Sequence, residues 1–182
     1  QRLGLQGAKV LMYVGFGTPR KGLDYLARAM PMVSADARLV LVGRWERAYR
    51  TKFYRAVGAA RDRVLEIGYV ADEDLPLYYS LADILVFPSL LEGFGLPLVE
   101  AMACGSPIIA SQVGSIPEII GPGGRLVPPR DPTALAEAID ELLRDDALRC
   151  SMGRAGLSWV LERFGHERMV RETLDVYAQY VT

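Results

Sequence analysis

Short unbroken apolar runs recur along this chain, each followed by a stretch of helical pattern, and that alternation leaves few folds open. Val10-Leu11-Met12-Tyr13-Val14 is the first run and ends at Gly15. Arg38-Leu39-Val40-Leu41-Val42-Gly43 is the second. Val64-Leu65-Glu66-Ile67-Gly68-Tyr69-Val70 is the third with its exit, and Asp83-Ile84-Leu85-Val86-Phe87-Pro88 the fourth. Pro107-Ile108-Ile109-Ala110 makes a fifth and Gly124-Arg125-Leu126-Val127 a sixth. Runs of this length without polar alternation are strands buried on both faces, which indicates a parallel sheet covered by helices on either side. The intervening segments supply those helices. Residues 21–30 set Leu23, Leu26 and Met30 on one helical face, residues 46–61 read as a polar-rich helix, and residues 73–81 as a short one. Asp72 is the expected N-cap of that short helix, and Pro76 is tolerated near its first turn. Beyond residue 130 the chain reads as almost entirely helical: one helix from Asp131-Pro132 through Leu143, one over 147–161, and one over 166–180 with Met169, Val170, Leu174 and Tyr177 apolar. The expectation is an α/β fold in which residues 1–182 form a single domain and 131–182 are mostly helical.

Open parallel sheets bind ligands where strands end at their carboxyl side. Three unusual loops fall at such ends. The loop after the fourth strand leads into Glu92-Gly93-Phe94-Gly95-Leu96-Pro97-Leu98-Val99-Glu100 and then Ala101-Met102-Ala103-Cys104-Gly105-Ser106-Pro107. Pro97 suits the first turn of a helix, and Gly105 suits the position just past its end. A helix N-terminus with free N–H groups behind a glycine loop is an anion site, and carboxylates beside it can accept hydrogen bonds from sugar hydroxyls. The glycines of this loop keep Glu92 off the helix that carries Glu100, so the two carboxylates are expected on loop and helix, facing one pocket. The loop after the first strand reads Gly15-Phe16-Gly17-Thr18-Pro19-Arg20-Lys21-Gly22. It lacks the third glycine of a dinucleotide fingerprint and is no Walker A loop. Arg20 and Lys21 stand where a helix begins, suited either to clamping a diphosphate or to simple solvation. The loop after the third strand continues into Asp72-Glu73-Asp74. Acidic residues there are better explained by a helix start than by metal binding.

The run Glu-Gly-Phe-Gly-Leu-Pro-x-x-Glu-Ala-Met-Ala-x-Gly-x-Pro, residues 92–107, resembles the E-x7-E signature of retaining glycosyltransferases with the GT-B fold, and is most similar to glycosyltransferase family 4, the group 1 type. The resemblance runs from about residue 10 to residue 143 and continues more weakly to the end. It implies a Rossmann-like α/β domain, one half of a GT-B enzyme, which binds a nucleotide-diphosphate sugar and transfers the sugar with retention once joined to an N-terminal acceptor half that this sequence lacks. By the same resemblance Glu100 binds the ribose hydroxyls and Glu92 the hydroxyls of the transferred sugar. The N–H groups of Gly93, Phe94, Gly95 and Leu96 hold the sugar and β-phosphate. Lys21 of the Lys-Gly pair binds the diphosphate, with Arg20 replacing an arginine that relatives carry where this chain has Phe16. Gly15 and Val70 bring backbone groups to the nucleotide. Relatives also have Gly-Gly-x-x-Glu where this chain has Gly114-Ser115-Ile116-Pro117-Glu118, and Ser115 makes a good helix start. No cofactor or metal is expected, since the donor substrate (a UDP-, GDP- or ADP-sugar) carries the chemistry. The Pro19-Arg20-Lys21 variant favours a GDP-mannose type of donor. The isolated domain is expected to be inactive, with its last helix packed on the missing half in the intact enzyme. Two other readings stay open: a non-catalytic nucleotide-binding or assembly module, and a GT-B-like sugar-nucleotide epimerase.

Composition narrows the field further. The 21 basic and 22 acidic residues leave a net charge of −1 and are spread along the chain, which gives no electrostatic footprint for nucleic acid. One histidine and two distant cysteines, Cys104 and Cys150, build neither a zinc site nor a disulfide framework. Cys104 is expected as a buried small hydrophobe and His166 as a surface or packing residue. A single distant histidine suggests no Ser-His-Asp or Cys-His catalyst and argues against an epimerase. No apolar run reaches the roughly 20 residues needed to span a bilayer. The opening Gln1-Arg2-Leu3-Gly4 is no secretory signal and lacks an initiator Met, as a fragment would. The expected location is cytoplasmic, with any membrane contact made through the missing half.

Overall fold

The computed structural model describes residues 4–5, 7–34 and 36–180, so the opening residues 1–3 lie outside the described residues. Six strands form one sheet: β1 (Lys9–Val14), β2 (Ala37–Val42), β3 (Val64–Gly68), β4 (Ile84–Phe87), β5 (Ile108–Ser111) and β6 (Gly124–Val127). Every pairing is parallel, in the order β3-β2-β1-β4-β5-β6. All six expected strands are present, and the central ones are buried along nearly their whole length, as unbroken apolar runs require. The order reverses direction between β1 and β4, which makes the crevice beyond their carboxyl ends the topological switch point.

Among the described residues there are eight α-helices: α1 (Leu23–Ala29), α2 (Arg47–Val57), α3 (Leu75–Leu81), α4 (Leu96–Ala103), α5 (Ile116–Ile120), α6 (Pro132–Arg144), α7 (Asp146–Arg163) and α8 (His166–Ala178). α1 packs with α2 and α6, α4 with α3, α5 and α7, and α6 with α7. Leu23, Leu26 and Met30 are fully buried. Asp131 caps α6 by accepting the N–H groups of Thr133 and Ala134, both at 3.0 Å.

Three local expectations need correction. Lys21 does not begin an α-helix: Pro19–Lys21 is a turn of 3-10 helix, and Gly22, at φ 63°, separates it from α1. The second helix stops at Val57 because Gly58 takes φ 53°, and residues 58–63 tighten into a 3-10 segment. Asp72 is not the cap of α3; Asp74 holds that position, and its side chain makes no capping bond. Pro76 remains in the first turn, where it costs no hydrogen bond. Cys104 is only half-buried, at the end of α4, and His166 lies exposed at the start of α8.

The far end of the sheet is held by charge. Asp83 accepts the Val10 N–H at 2.8 Å and pairs at 3.4 Å with both Lys9 and the buried Arg149. Asp146 bridges the same two cations, whose hydrogen bonds hold its carboxyl below the usual aspartate range. This network joins β1, β4 and α7 at the end opposite the crevice.

Candidate functional site

The crevice is built by the loops after β1, β3 and β4, the three singled out in the sequence. The first and third are tied backbone to backbone: the Leu90 N–H donates to the Arg20 carbonyl at 2.8 Å. Gly22 makes that approach possible. A Cβ at Gly22 would stand 2.0 Å from the Pro88 carbonyl oxygen, and its φ of 63° is itself costly for other residues.

This contact carries Lys21 to Glu92, 71 residues along the chain. The Lys21 ammonium donates to Glu92 Oε2 at 2.5 Å, with side chains only 14% and 10% exposed. The ammonium also lies 5.2 Å from the centre of the Phe87 ring, a cation–π contact that further confines it. Ser89, fully buried, donates to the same carboxylate oxygen at 3.4 Å. Arg20 is exposed and forms no ion pair or side-chain hydrogen bond among the described residues, so its charge is available to a ligand. Beneath the loop, the Tyr13 phenol is held protonated, its ionisation pushed far up by burial and then by the neighbouring Tyr49 and Glu92.

Directly after Glu92, the backbone N–H groups of Gly93, Phe94, Gly95 and Leu96 donate to no other group among the described residues. They precede and open α4, whose dipole adds positive character at the same point. Gly95 takes φ 93° as the N-cap, whereas Gly93 needs no unusual conformation and has open space on its Cβ side. The loop is held from behind by two neighbours. Gly114, at φ 50°, presses against the Glu92 carbonyl, where a Cβ would come within 2.4 Å of the oxygen. Ser115 precedes α5 but makes no capping bond with its side chain; its hydroxyl donates to the Gly93 carbonyl at 2.9 Å. Nothing local in the sequence distinguishes this clamp from an ordinary helix start.

Glu100 stands one turn into α4 and is exposed, as expected. It does not join the Lys21–Glu92 pair. Its Oε2 accepts the Tyr79 hydroxyl of α3 at 2.7 Å. Leu75, one turn earlier on the same face of α3, lines a slot of about 390 Å³ with Val14, Gly15, Gly43, Val70 and Asp72. Gly15 and Val70 thus come together, and Glu100 is bonded to the next turn of the helix whose Leu75 lines the slot. Over its mouth the Arg44 guanidinium lies 5.0 Å from the Tyr69 ring centre. Gly43 is a residue the motif reading missed: its Cβ position is 2.1 Å from the Gly15 carbonyl oxygen, so only glycine lets β2 approach the first loop this closely.

The side chains of Phe94 and Leu96 turn away from the slot. They line a larger apolar groove of about 690 Å³ with Val99, Phe164, Met169 and Tyr177, and Phe94 meets Phe164 edge to face at 5.9 Å. That groove has few converging polar groups, so the polar crevice, though smaller, is the better candidate site. No residue of α8 is buried. Among the described residues no cluster of three His, Cys, Asp or Glu side chains could hold a metal ion, and no helix is long and apolar enough to cross a membrane.

An all-parallel sheet with its switch point flanked by a cation, two carboxylates and a helix start defines an α/β domain of the Rossmann-like class, shaped as one half of a GT-B fold. Residues 1–159 match the family described as Glycosyl transferases group 1, and the chain belongs to that family. It is 35% identical over 172 residues to O-antigen chain mannosyltransferase B of Escherichia coli, covering 91% of this chain and 45% of that protein. Among solved structures, sucrose-phosphate synthase from Thermosynechococcus elongatus is 35% identical, with a TM-score of 0.86 over 96% of this chain and 46% of that one. HepE of Anabaena, solved with UDP-glucose, matches with a TM-score of 0.91 at 24% identity over 98% of this chain and 51% of that one, a likeness of fold. The chain thus spans about half the length of each of these three proteins. Its relatives are named glycosyltransferases and mannosyltransferases.

Proposed function

We propose that this chain is the donor-binding, C-terminal half of a retaining glycosyltransferase, which binds a nucleotide-diphosphate sugar and acts together with an N-terminal acceptor half. The observation that carries this reading is the Lys21–Glu92 pair at 2.5 Å, set against four free backbone N–H groups at the start of α4. A diphosphate fits that place and no apolar ligand does. The N–H groups at the helix start would donate to phosphate oxygens, with Lys21 and the exposed Arg20 balancing the charge that develops on the leaving diphosphate. Glu92 would accept hydroxyls of the transferred sugar, Glu100 those of the ribose, and the base would enter the slot between Gly15 and Val70. No metal or cofactor is needed in this scheme.

Two observations favour a guanine nucleotide with a mannose-type sugar. The relative reported above is a mannosyltransferase. Asp72, the one carboxylate lining the slot, accepts hydrogen bonds only, and the guanine edge offers two adjacent N–H donors where uracil offers one. The test is calorimetric titration of UDP, GDP and ADP, and of UDP-glucose and GDP-mannose, into the chain and into Glu100→Ala. Binding of one nucleotide, weakened about tenfold or more by the substitution, is the expected result for loss of charge-assisted hydrogen bonds. Failure of every nucleotide to bind the folded chain would favour an assembly module that has kept the fold.

A further inference from the structure

Tyr79 is only 1% exposed, yet its hydroxyl reaches the one carboxylate that α4 carries. Its ring is packed into the core beneath α3 and α4, so the phenol oxygen has little freedom. The carbonyl of the same residue is also fixed, accepting the buried Ser106 hydroxyl at 2.6 Å. The Tyr79 bond at 2.7 Å is a short, charge-assisted one to Glu100 Oε2. Glu100 is exposed and receives no other hydrogen bond among the described residues, so Oε1 stays free. A solvent-exposed glutamate with three rotatable bonds would otherwise sample many rotamers and lose that freedom on binding a ligand.

We propose that Tyr79 is a positioning residue for nucleotide recognition: it holds one oxygen of Glu100 in place so that the carboxylate is pre-set for the two vicinal hydroxyls of a ribose. This rests on the reading of Glu100 as the ribose ligand. Tyr79 touches no nucleotide itself. Burial, followed by the bond to Glu100, pushes its ionisation far up, which keeps the hydroxyl a proton donor. The device is one of pre-organisation, in which the ordering of the carboxylate precedes binding.

The test compares GDP and UDP, each beside its 2′,3′-dideoxy analogue, on the wild-type chain, Tyr79→Phe, Glu100→Ala and the double variant, by calorimetry. Tyr79→Phe keeps the ring in its packing and removes only the hydroxyl. The quantity read is the preference for the ribonucleotide over its dideoxy form, which is measured within one preparation and does not depend on how much of it is folded. Tyr79→Phe is expected to cut that preference by about five- to tenfold, the scale of one charge-assisted hydrogen bond, while leaving affinity for the dideoxy form unchanged. Glu100→Ala should abolish the preference, and Tyr79→Phe should then change nothing further. Ser106→Ala, which loosens α3 without touching the hydroxyl, measures what structural disturbance alone does. A loss of preference in Tyr79→Phe no larger than in Ser106→Ala overturns the positioning role and leaves Tyr79 a packing residue. If the wild-type chain shows no preference for either ribonucleotide, or binds none, the ribose assignment of Glu100 fails and the role of Tyr79 with it.

Discussion

Replacing Glu92 should weaken the fold and strengthen diphosphate binding at the same time, because the residue neutralises the cation that a diphosphate needs. The Lys21 ammonium and Glu92 carboxylate are 2.5 Å apart and mostly withdrawn from water. Unit charges about 3 Å apart attract by about 5 kcal/mol at an effective dielectric near 20. Desolvation of the two groups offsets much of this, so the pair as a whole adds little net stability, but removing one partner leaves the other charge buried and alone. The usual cost of that is about 3–5 kcal/mol, and the remaining exposure of both side chains brings the expectation for Glu92→Gln to about 2–3 kcal/mol. In a chain of this size that lowers Tm by about 5–10 °C. Lys21→Met should cost about the same, and the double variant should fall short of the sum by about 2 kcal/mol, as expected of groups in direct contact. Binding should separate the two. With its carboxylate partner gone, Lys21 can turn wholly to phosphate, so Glu92→Gln should bind GDP or UDP about three- to tenfold more tightly, the effect of removing one nearby negative charge. Its affinity for the matching nucleotide sugar should rise less, since a sugar contact is lost. Lys21→Met should weaken binding of both. Thermal melts and urea titrations give the cycle, and calorimetry gives the binding. Additive stability losses would show that the two charges do not act as a pair. Weaker nucleoside diphosphate binding in Glu92→Gln would refute the competition between carboxylate and phosphate.

Other outcomes follow from the same geometry. Gly114→Ala places a Cβ within 2.4 Å of the Glu92 carbonyl and forces a left-handed conformation, so it should cost about 1–2 kcal/mol for the backbone alone and reduce nucleotide affinity without touching the ligand. An unchanged affinity by calorimetry would mean that the clamp on the glutamate loop is incidental. Asp83→Ala leaves the buried Arg149 short of a partner and the Val10 N–H without an acceptor, with an expected loss of about 3 kcal/mol by urea denaturation. Nucleotide binding should be spared, because the network lies at the opposite end of the sheet. Tyr54 donates to Glu66 at 2.8 Å, and burial together with that bond pushes its ionisation up from 10.0 to about 12. The folded form therefore holds this proton over a range in which the unfolded chain has lost it. The stabilisation is fully present below pH 10 and is lost as pH rises from 10 toward 12. Tyr54→Phe should flatten the stability profile over that interval, and an unchanged profile would show that Tyr54 does not couple to folding there.

Much of the architecture is legible in local pattern. The central strands are unbroken apolar runs and α2 and α6 are amphipathic, because burial selects residue type at the period of the element that buries it. The candidate anion site at α4 is likewise local, since glycines, Pro97 and the flanking glutamates lie within a few residues of one another. Periodicity misleads where backbone conformation turns on one residue: Gly22 and Gly58 end or divide helices that side-chain pattern alone runs together.

What the sequence by itself determined is the α/β class, the six strands, and the residues from which a diphosphate and sugar site could be made. Only the tertiary structure decided which of them meet. Lys21 finds Glu92 because β1 and β4 are neighbours at the switch point, and a pairing across 71 residues has no local signature. Glu100 finds Tyr79 because α3 packs beside α4. Gly43, Gly114 and Ser115 matter through backbone contacts made by other segments of the chain. Composition and period encode what each segment becomes, whereas the chemistry of the site comes from close approach of distant segments, which packing alone sets.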